Sequence, residues 1–247
     1  MKISVIFAAV SVAVLSGPAF AFHPLITEDT VLLGRDVRQV TGGLEHTISE
    51  EGTDRYSTGA TAKFSYGFWN KFNLLLTIPW EGWSSRGLSE SGLGDALLEA
   101  KFQAGEKAGW ILALKPGFSL PAGDEAKSLG AGKGGVWVYG IAGKTPGPWQ
   151  FYLNAGYMLN RNSMDQRENI FKASAAAALR VLPGTLVTAE LAAASNTDKN
   201  SPSHPVTSGL GLVWSPYPTL DLDAGVKFGL TRPAASLGLL AGITLRI

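Results

Sequence analysis

The sequence predicts an all-β chain, a closed antiparallel transmembrane β-barrel of about twelve strands. Three observations predict it. Apolar and polar residues alternate with period two from near residue 36 to the C-terminus. The connections between alternating stretches are tight and long by turns, and the tryptophans fall near the ends of the stretches. Composition agrees: 45% of the 247 residues are hydrophobic, 17% are charged, 30 are Gly and none is Cys. Such a chain is too apolar for disorder and too glycine-rich for a helical bundle, and it holds no disulfide, thiolate metal site or cysteine nucleophile. With no long Pro/Ser linker it reads as one folded unit.

The first element is an address. Lys2, the apolar run Ile3 to Gly17 and Ala19-Phe20-Ala21 form the three parts of a cleaved signal peptide over 1–21. The run is short of the roughly 20 residues that a spanning helix needs, and Gly17-Pro18 interrupts it. Cleavage removes Lys2 and no acid, so the formal charge of +1 falls to zero and argues against nucleic acid as a partner. Residues 22–35 follow as an N-terminal segment, Pro-containing and partly apolar, lying in the periplasmic mouth or folding into the lumen as a small plug.

The barrel is expected over 36–247. No run of about 18 apolar residues follows Phe22, yet mean hydropathy is positive. Barrel strands reconcile the two, because they carry apolar residues only at every second position. Strands are expected near 36–49, 57–69, 71–83, 94–106, 109–121, 134–145, 148–161, 169–182, 185–197, 205–215, 219–232 and 234–247. In 219–232, Leu220, Leu222, Ala224, Val226, Phe228 and Leu230 face one way, and Asp221, Asp223, Gly225, Lys227 and Gly229 the other. The stretches 94–106 and 169–182 also suit a helix by propensity, but Glu99, Lys101 and Gln103, and likewise Lys172, Ser174 and Arg180, fall on single strand faces.

Tight turns are expected at Trp69-Asn70-Lys71, Glu106 to Gly109, Thr145 to Pro148, Leu182-Pro183-Gly184 and Ser215 to Pro218. Long polar loops are expected at Glu50 to Tyr56, Ser84 to Gly94, Ala122 to Lys133, Asn160 to Asn169 and Thr197 to His204, with a short last connection at Thr231 to Ala234. Such sorting of loops by side is the organisation of an outer-membrane barrel. Trp69, Trp110, Trp149 and Trp214 lie beside tight turns and Trp80, Trp83 and Trp137 at the opposite strand ends, which predicts two membrane-interface belts. Between the belts, residues 72–80 at about 3.3 Å each match an apolar band about 25 Å tall.

If the apolar faces meet lipid, the lumen is lined by Glu45, Lys63, Glu99, Lys101, Lys115, Lys172, Arg180, Glu190, Asp221, Asp223, Lys227 and Arg246. Both signs are present, so paired charges filling a narrow lumen compete with a polar passage. About twelve strands lies between barrels just wide enough for side chains and open channels, and does not decide between the two.

Catalysis finds little footing. Ala122 to Lys133 superficially suggests a phosphate loop, but Lys127 and Gly134 stand where Gly and Ser or Thr are required, and a strand follows. No cofactor and no metal is expected, since the mature chain has only His23, His46 and His204, at spacings that fit no metal pair or nucleophile elbow. A Ser/His lipid-hydrolysing site would have to draw on His46 or His204 with Ser49, Ser201 or Ser203; a solvated or capping role suits these residues better.

Three segments carry a family resemblance: Phe22-His23-Pro24-Leu25-Ile26-Thr27-Glu28-Asp29-Thr30, Gly92-Leu93-Gly94-Asp95 with Lys101, and the block Leu114-Lys115-Pro116-Gly117-Phe118-Ser119-Leu120-Pro121-Ala122-Gly123-Asp124-Glu125. The chain resembles the outer-membrane proteins of the MetA-pathway of phenol degradation family over most of its mature length. The resemblance implies a Gram-negative outer-membrane barrel, often labelled a transporter and linked by name to uptake of phenolic or other hydrophobic compounds. It brings no catalytic residues. The chain departs from the common barrel pattern at its end, Thr244-Leu245-Arg246-Ile247, where an aromatic is usual.

The expected function is therefore that of a non-enzymatic, passive outer-membrane channel for small hydrophobic or aromatic compounds. A closed structural or surface-interaction barrel and, behind it, a lipid-modifying enzyme are the alternatives. Expected partners are outer-membrane lipid, the small solute and, during biogenesis after Sec-type export, periplasmic chaperones and the barrel-assembly machinery. A secreted soluble barrel carrying a hydrophobic ligand would need the two faces reversed.

Overall fold

The computed structural model describes residues 24–49, 55–85 and 87–247. The expected signal peptide over 1–21, and most of the expected loop from Glu50 to Tyr56, lie outside the described residues.

Alternation becomes strand throughout. The strands are β1 (Arg38–Ser49), β2 (Arg55–Trp69), β3 (Phe72–Ser85), β4 (Leu88–Leu93), β5 (Ala96–Lys107), β6 (Trp110–Leu120), β7 (Val136–Lys144), β8 (Trp149–Leu159), β9 (Asn169–Leu182), β10 (Thr185–Ala194), β11 (Val206–Tyr217), β12 (Leu220–Gly229) and β13 (Leu237–Arg246). Consecutive strands pair antiparallel, except that β5 pairs with β3 and not with β4, and β1 closes the ring on β13 with Gln39 opposite Arg246 and Ile48 opposite Leu237. Arg38 and Ile247 exchange both backbone hydrogen bonds, so the non-aromatic C-terminus is part of the closing seam. β5 and β9 are strands despite their helix-forming residues, because tertiary pairing overrides propensity.

The ring is twelve strands wide, since β4 and β5 share one position. β3 pairs with β5 from Phe72 to Thr77 and with β4 from Trp80 to Ser85. Between them the wall is interrupted at Gly94-Asp95, opposite Pro79, which has no N–H to give to the ladder. This corrects the expected loop from Ser84 to Gly94: it is a hairpin turning at Gly87, with φ 78°. The polar run Ser89-Glu90-Ser91 has no apolar face to mark it as strand, and is ordered by backbone pairing to β3.

Turn chemistry holds the other end of the barrel. Ala108 and Gly109 both have positive φ, 53° and 76°, as a two-residue type I′ hairpin requires. Register shifts cluster on this rim, between Gly67 and Trp69, Gln103 and Gly105, Thr185 and Leu186, and Trp214 and Tyr217. The last of these bulges carries β11 on to Tyr217 and moves the expected Ser215–Pro218 turn to Pro218-Thr219. The final connection is longer than expected, running over residues 230–236.

The molecule is inside-out relative to a water-soluble protein. Leu210, Leu212 and Trp214 are about half exposed on the outer surface, and Leu112, Leu114, Phe118 and Leu120 repeat the pattern on β6. Inside, the buried apolar cluster among the described residues is just Leu186 with Val213, whereas Thr41, Ser65, Asn73, Glu99, Lys101, Lys115, Thr188, Glu190, Asp221, Asp223 and Thr244 are buried. An apolar surface this extensive is stable only against lipid or another apolar phase. No helix among the described residues is long and apolar enough to cross a membrane, which leaves crossing by strands open.

Candidate functional site

Residues 24–33 run through the barrel and organise its lumen. Pro24 sits against β11 and β12: a Cβ on Gly211 or Gly225 would meet its ring at 2.7 and 2.6 Å, so those two wall positions admit it only as glycines. Next, Glu190 of β10, 6% exposed, accepts from the Ile26 and Thr27 amides and the Thr27 hydroxyl at 2.9–3.0 Å. Asn154 of β8 accepts from the Glu28 amide at 2.7 Å and donates to the Glu28 carbonyl at 3.0 Å. These wall contacts replace the backbone partners that a segment outside any sheet lacks. The chain leaves by the β2–β3 turn, where the Arg35 and Asp36 amides donate to Asn70 Oδ1 and the Gly67 carbonyl.

At mid-path the segment meets a charge cluster. Lys115 Nζ lies 2.5 Å from Glu28 Oε1 and 3.1 Å from Glu99 Oε1. Lys101 Nζ lies 2.7 Å from Asp29 Oδ1 and 3.8 Å from Glu28 Oε2. The Glu28 carboxylate is thus shared between two ammonium groups, and each ammonium is shared between two carboxylates. Trp137 donates its indole N–H to Glu99 at 3.1 Å and closes the cluster on the β7 side.

Two cavities remain around the segment. One, of about 540 Å³, is lined by Ile26, Glu28, Lys63, Glu99, Lys115, Trp137, Tyr139, Asn154, Met158, Lys172 and Ser174 among others. The second, of about 480 Å³, lies towards β1, β2 and β12, with Pro24, Ile26, Glu45, Trp80, Glu81 and Lys227 in its lining. Ile26 borders both.

Of the charged residues read from the sequence, Lys63, Glu99, Lys115 and Lys172 line the larger cavity, and Glu45 and Lys227 form an ion pair at the edge of the smaller. Lys101 and Glu190 are buried against the inner segment. Asp221, fully buried near the turn rim, pairs with Arg246 and accepts from the Ser215 hydroxyl at 2.6 Å. Asp223 is buried on the same face of β12, and Arg180 is exposed beside the turn rim. Glu28 and Asp29 stand in the sequence without an assigned role, although one signal points to them. The lumen faces carry seven cations and five carboxylates, and these two acids supply the difference.

The tryptophans divide. Trp69, Trp80, Trp149 and Trp214 are exposed, and Trp110 packs on the outer surface beside Phe151 and Leu153. Trp69 also joins Tyr66, Phe68 and Phe72 in an aromatic cluster at the turn rim. Trp137 departs from the expected belt and faces the lumen, since Val136 and Val138 take the outward positions on β7. Trp83 departs as well, donating its indole N–H to the Lys127 carbonyl of the loop 122–133.

That loop is structured, with a 3-10 turn at Glu125–Lys127 capped by Asp124. Asp95, at the wall interruption, accepts from the Gly123 and Ala131 amides at 3.0 and 2.8 Å, and Leu129 is buried beside Gly92. His46 Nδ1 is hydrogen-bonded to Thr58 Oγ1, and His204 Nδ1 accepts from the Asn196 amide. Among the described residues no group of three or more His, Cys, Asp or Glu is placed to hold a metal.

Comparison with known proteins agrees with this architecture. An outer membrane channel from Pseudomonas putida F1 superposes with a TM-score of 0.75 at 15% identity, over 90% of this chain and 100% of the other. The KdgM porin gives 0.53 at 11% identity over 84% and 98%. The β domain of the Bordetella autotransporter BrkA gives 0.54 at 14% over 85% and 99%. At these identities the likeness is one of fold, that of outer-membrane β-barrels. No curated protein sequence matches this one. The family model described as Putative MetA-pathway of phenol degradation matches residues 70–247, which take in most of the barrel and the segments 92–95 and 114–125 but not 22–30, and the chain belongs to that family.

Proposed function

We propose that this chain is a passive outer-membrane channel for small, apolar or aromatic solutes, and that residues 24–33 constrict its lumen. The observation that carries the reading is that the lumen is not filled: cavities of about 540 and 480 Å³ flank the inner segment, both with polar and charged lining. A purely structural barrel of this width would be expected to pack that space with side chains. The phenol-like character of the solute is suggested by the family name alone. Export by a Sec-type signal over 1–21, insertion by the barrel-assembly machinery with chaperone help, and lodging in outer-membrane lipid belong to the same reading, supported by the fold and the apolar outer band. Nothing in this scheme consumes energy or transforms the solute, so the protein acts without catalysis.

A second reading, the closed barrel, draws on the ion-pair cluster joining Glu28 and Asp29 to Lys101 and Lys115. One experiment separates the two. The mature chain and a variant lacking residues 22–30 are reconstituted in planar bilayers. The channel reading expects small single-channel currents in the parent and currents several-fold larger in the deletion. Absence of current from both overturns it in favour of the closed barrel, and equal current from both overturns the constriction.

A further inference from the structure

We infer that the larger lumen cavity is a binding site for a small aromatic carboxylate, held by Lys63 and Lys172 and by the rings of Trp137 and Tyr139. The inference rests on the channel reading and narrows its solute to a chemical class.

Charge supplies the first argument. Lys101 and Lys115 are each held by two carboxylates, and Lys227 and Arg246 by one. Lys63 on β2 and Lys172 on β9 line the cavity and have no ion-pair partner among the described residues. Both carboxylates lining that cavity, Glu28 and Glu99, are already in contact with Lys115. Three ammonium groups against two carboxylates leave the cavity with a net positive charge. In a confined lumen that single excess positive charge, with Lys63 and Lys172 both outside any close ion pair among the described residues, favours an anion over a neutral or cationic solute.

Shape supplies the second. Trp137 and Tyr139 alternate on β7, and both line the cavity. Each ring lies against a glycine of the adjacent strand: a Cβ on Gly117 would run into the Trp137 ring, and one on Gly156 into the Tyr139 ring. The rings are therefore flattened on the wall, and the bond from Trp137 to Glu99 fixes the indole plane. Flat rings beside spare cations suit a planar aromatic body bearing one negative group, which stacks or packs edge-on while its carboxylate reaches an ammonium. Lined by Ser174, Met158 and alanines, a space of about 540 Å³ accepts a single-ring molecule with room to leave, as a channel site requires.

The test is titration calorimetry on the full mature chain folded in detergent at low salt, with benzoate, benzyl alcohol, benzylamine and acetate as probes. Saturable benzoate binding is expected, at least tenfold tighter than that of the other three. A Lys63→Gln/Lys172→Gln variant should lose at least tenfold in benzoate affinity and keep its weak affinity for benzyl alcohol. Equal binding of benzoate and benzyl alcohol, benzoate no tighter than acetate, no saturation at all, or an unchanged double variant would each overturn the site. The wild-type comparison of the four probes decides even if the double variant fails to fold. Benzoate binding by a chain that passes no current removes the channel reading and leaves the site standing; a conducting chain without the benzoate preference does the reverse.

Discussion

Glu190 shows how one residue of the wall fixes what happens in the lumen. Its carboxylate receives two amides and a hydroxyl from Ile26 and Thr27, so both oxygens are spent on the inner segment. Hydrogen bonds to a charged group contribute about 1.5–3 kcal/mol each, and removing the acceptor strands buried donors. Glu190→Ala should therefore shift the segment by about 2–3 kcal/mol towards release, and leave the barrel strands, paired by backbone bonds, intact. In planar bilayers its mean current should rise towards that of the 22–30 deletion; a current equal to the parent's would mean that the other anchors hold the segment alone. The sequence carried the sign of Glu190 and its lumen face, because alternation makes the face of every strand residue readable. It did not carry the partner, since a contact between residues 27 and 190 leaves no periodic trace.

At the scale of elements, legibility follows backbone regularity. Twelve alternating stretches and the tight turns other than that after β11 were readable, since each rests on local chemistry: period two, Pro-Gly, a positive-φ pair. The β3–β4 hairpin was not, because Ser89-Glu90-Ser91 offers no apolar face and its order comes from pairing with Trp83, Ser84 and Gly82 across the turn. The loop 122–133 was likewise read as merely polar, yet it is fastened over the wall interruption by Asp95, by the Trp83 indole and by a Lys127–Glu90 ion pair. Asp95 is the fastening with two charge-assisted bonds, and the exposed ion pair adds little. Asp95→Ala should loosen the loop without unfolding the barrel. Limited trypsin digestion should then cleave after Lys127 or Lys133 at least tenfold faster than in the parent, with the heat-modifiable gel shift retained; unchanged cleavage would mean that the Trp83 bond and Leu129 packing hold the loop without Asp95.

Over the whole molecule the decisive quantity is which phase the Leu, Val and Phe faces meet. The same alternation would serve a soluble carrier turned the other way, with apolar residues round a ligand and charges in water; the sorting of loops and the tryptophans at the turn rim argued against it from sequence. Burial decides the direction, since Asp221 and Thr244 have no exposure while Leu191 and Leu212 stand 52% and 47% exposed on the outer surface. The phase itself is open to a direct thermodynamic test at Leu210 of β11, four residues or about 13 Å from Trp214 of the turn-side belt and so about half-way across the apolar band. An arginine on the lipid face at the bilayer midplane costs about 2–4 kcal/mol, whereas on a water-exposed surface a substitution usually stays within about 0.5 kcal/mol. Leu210→Arg should accordingly lower the urea stability of the barrel refolded in lipid vesicles by about 2–4 kcal/mol. Trp214, four positions on, shares its face, so Trp214→Arg at the interface should cost less, about 0–1 kcal/mol for the charge. A graded loss with depth is the signature of a bilayer around the barrel; equal, negligible losses at both positions would put water there and return the apolar faces to the soluble alternative.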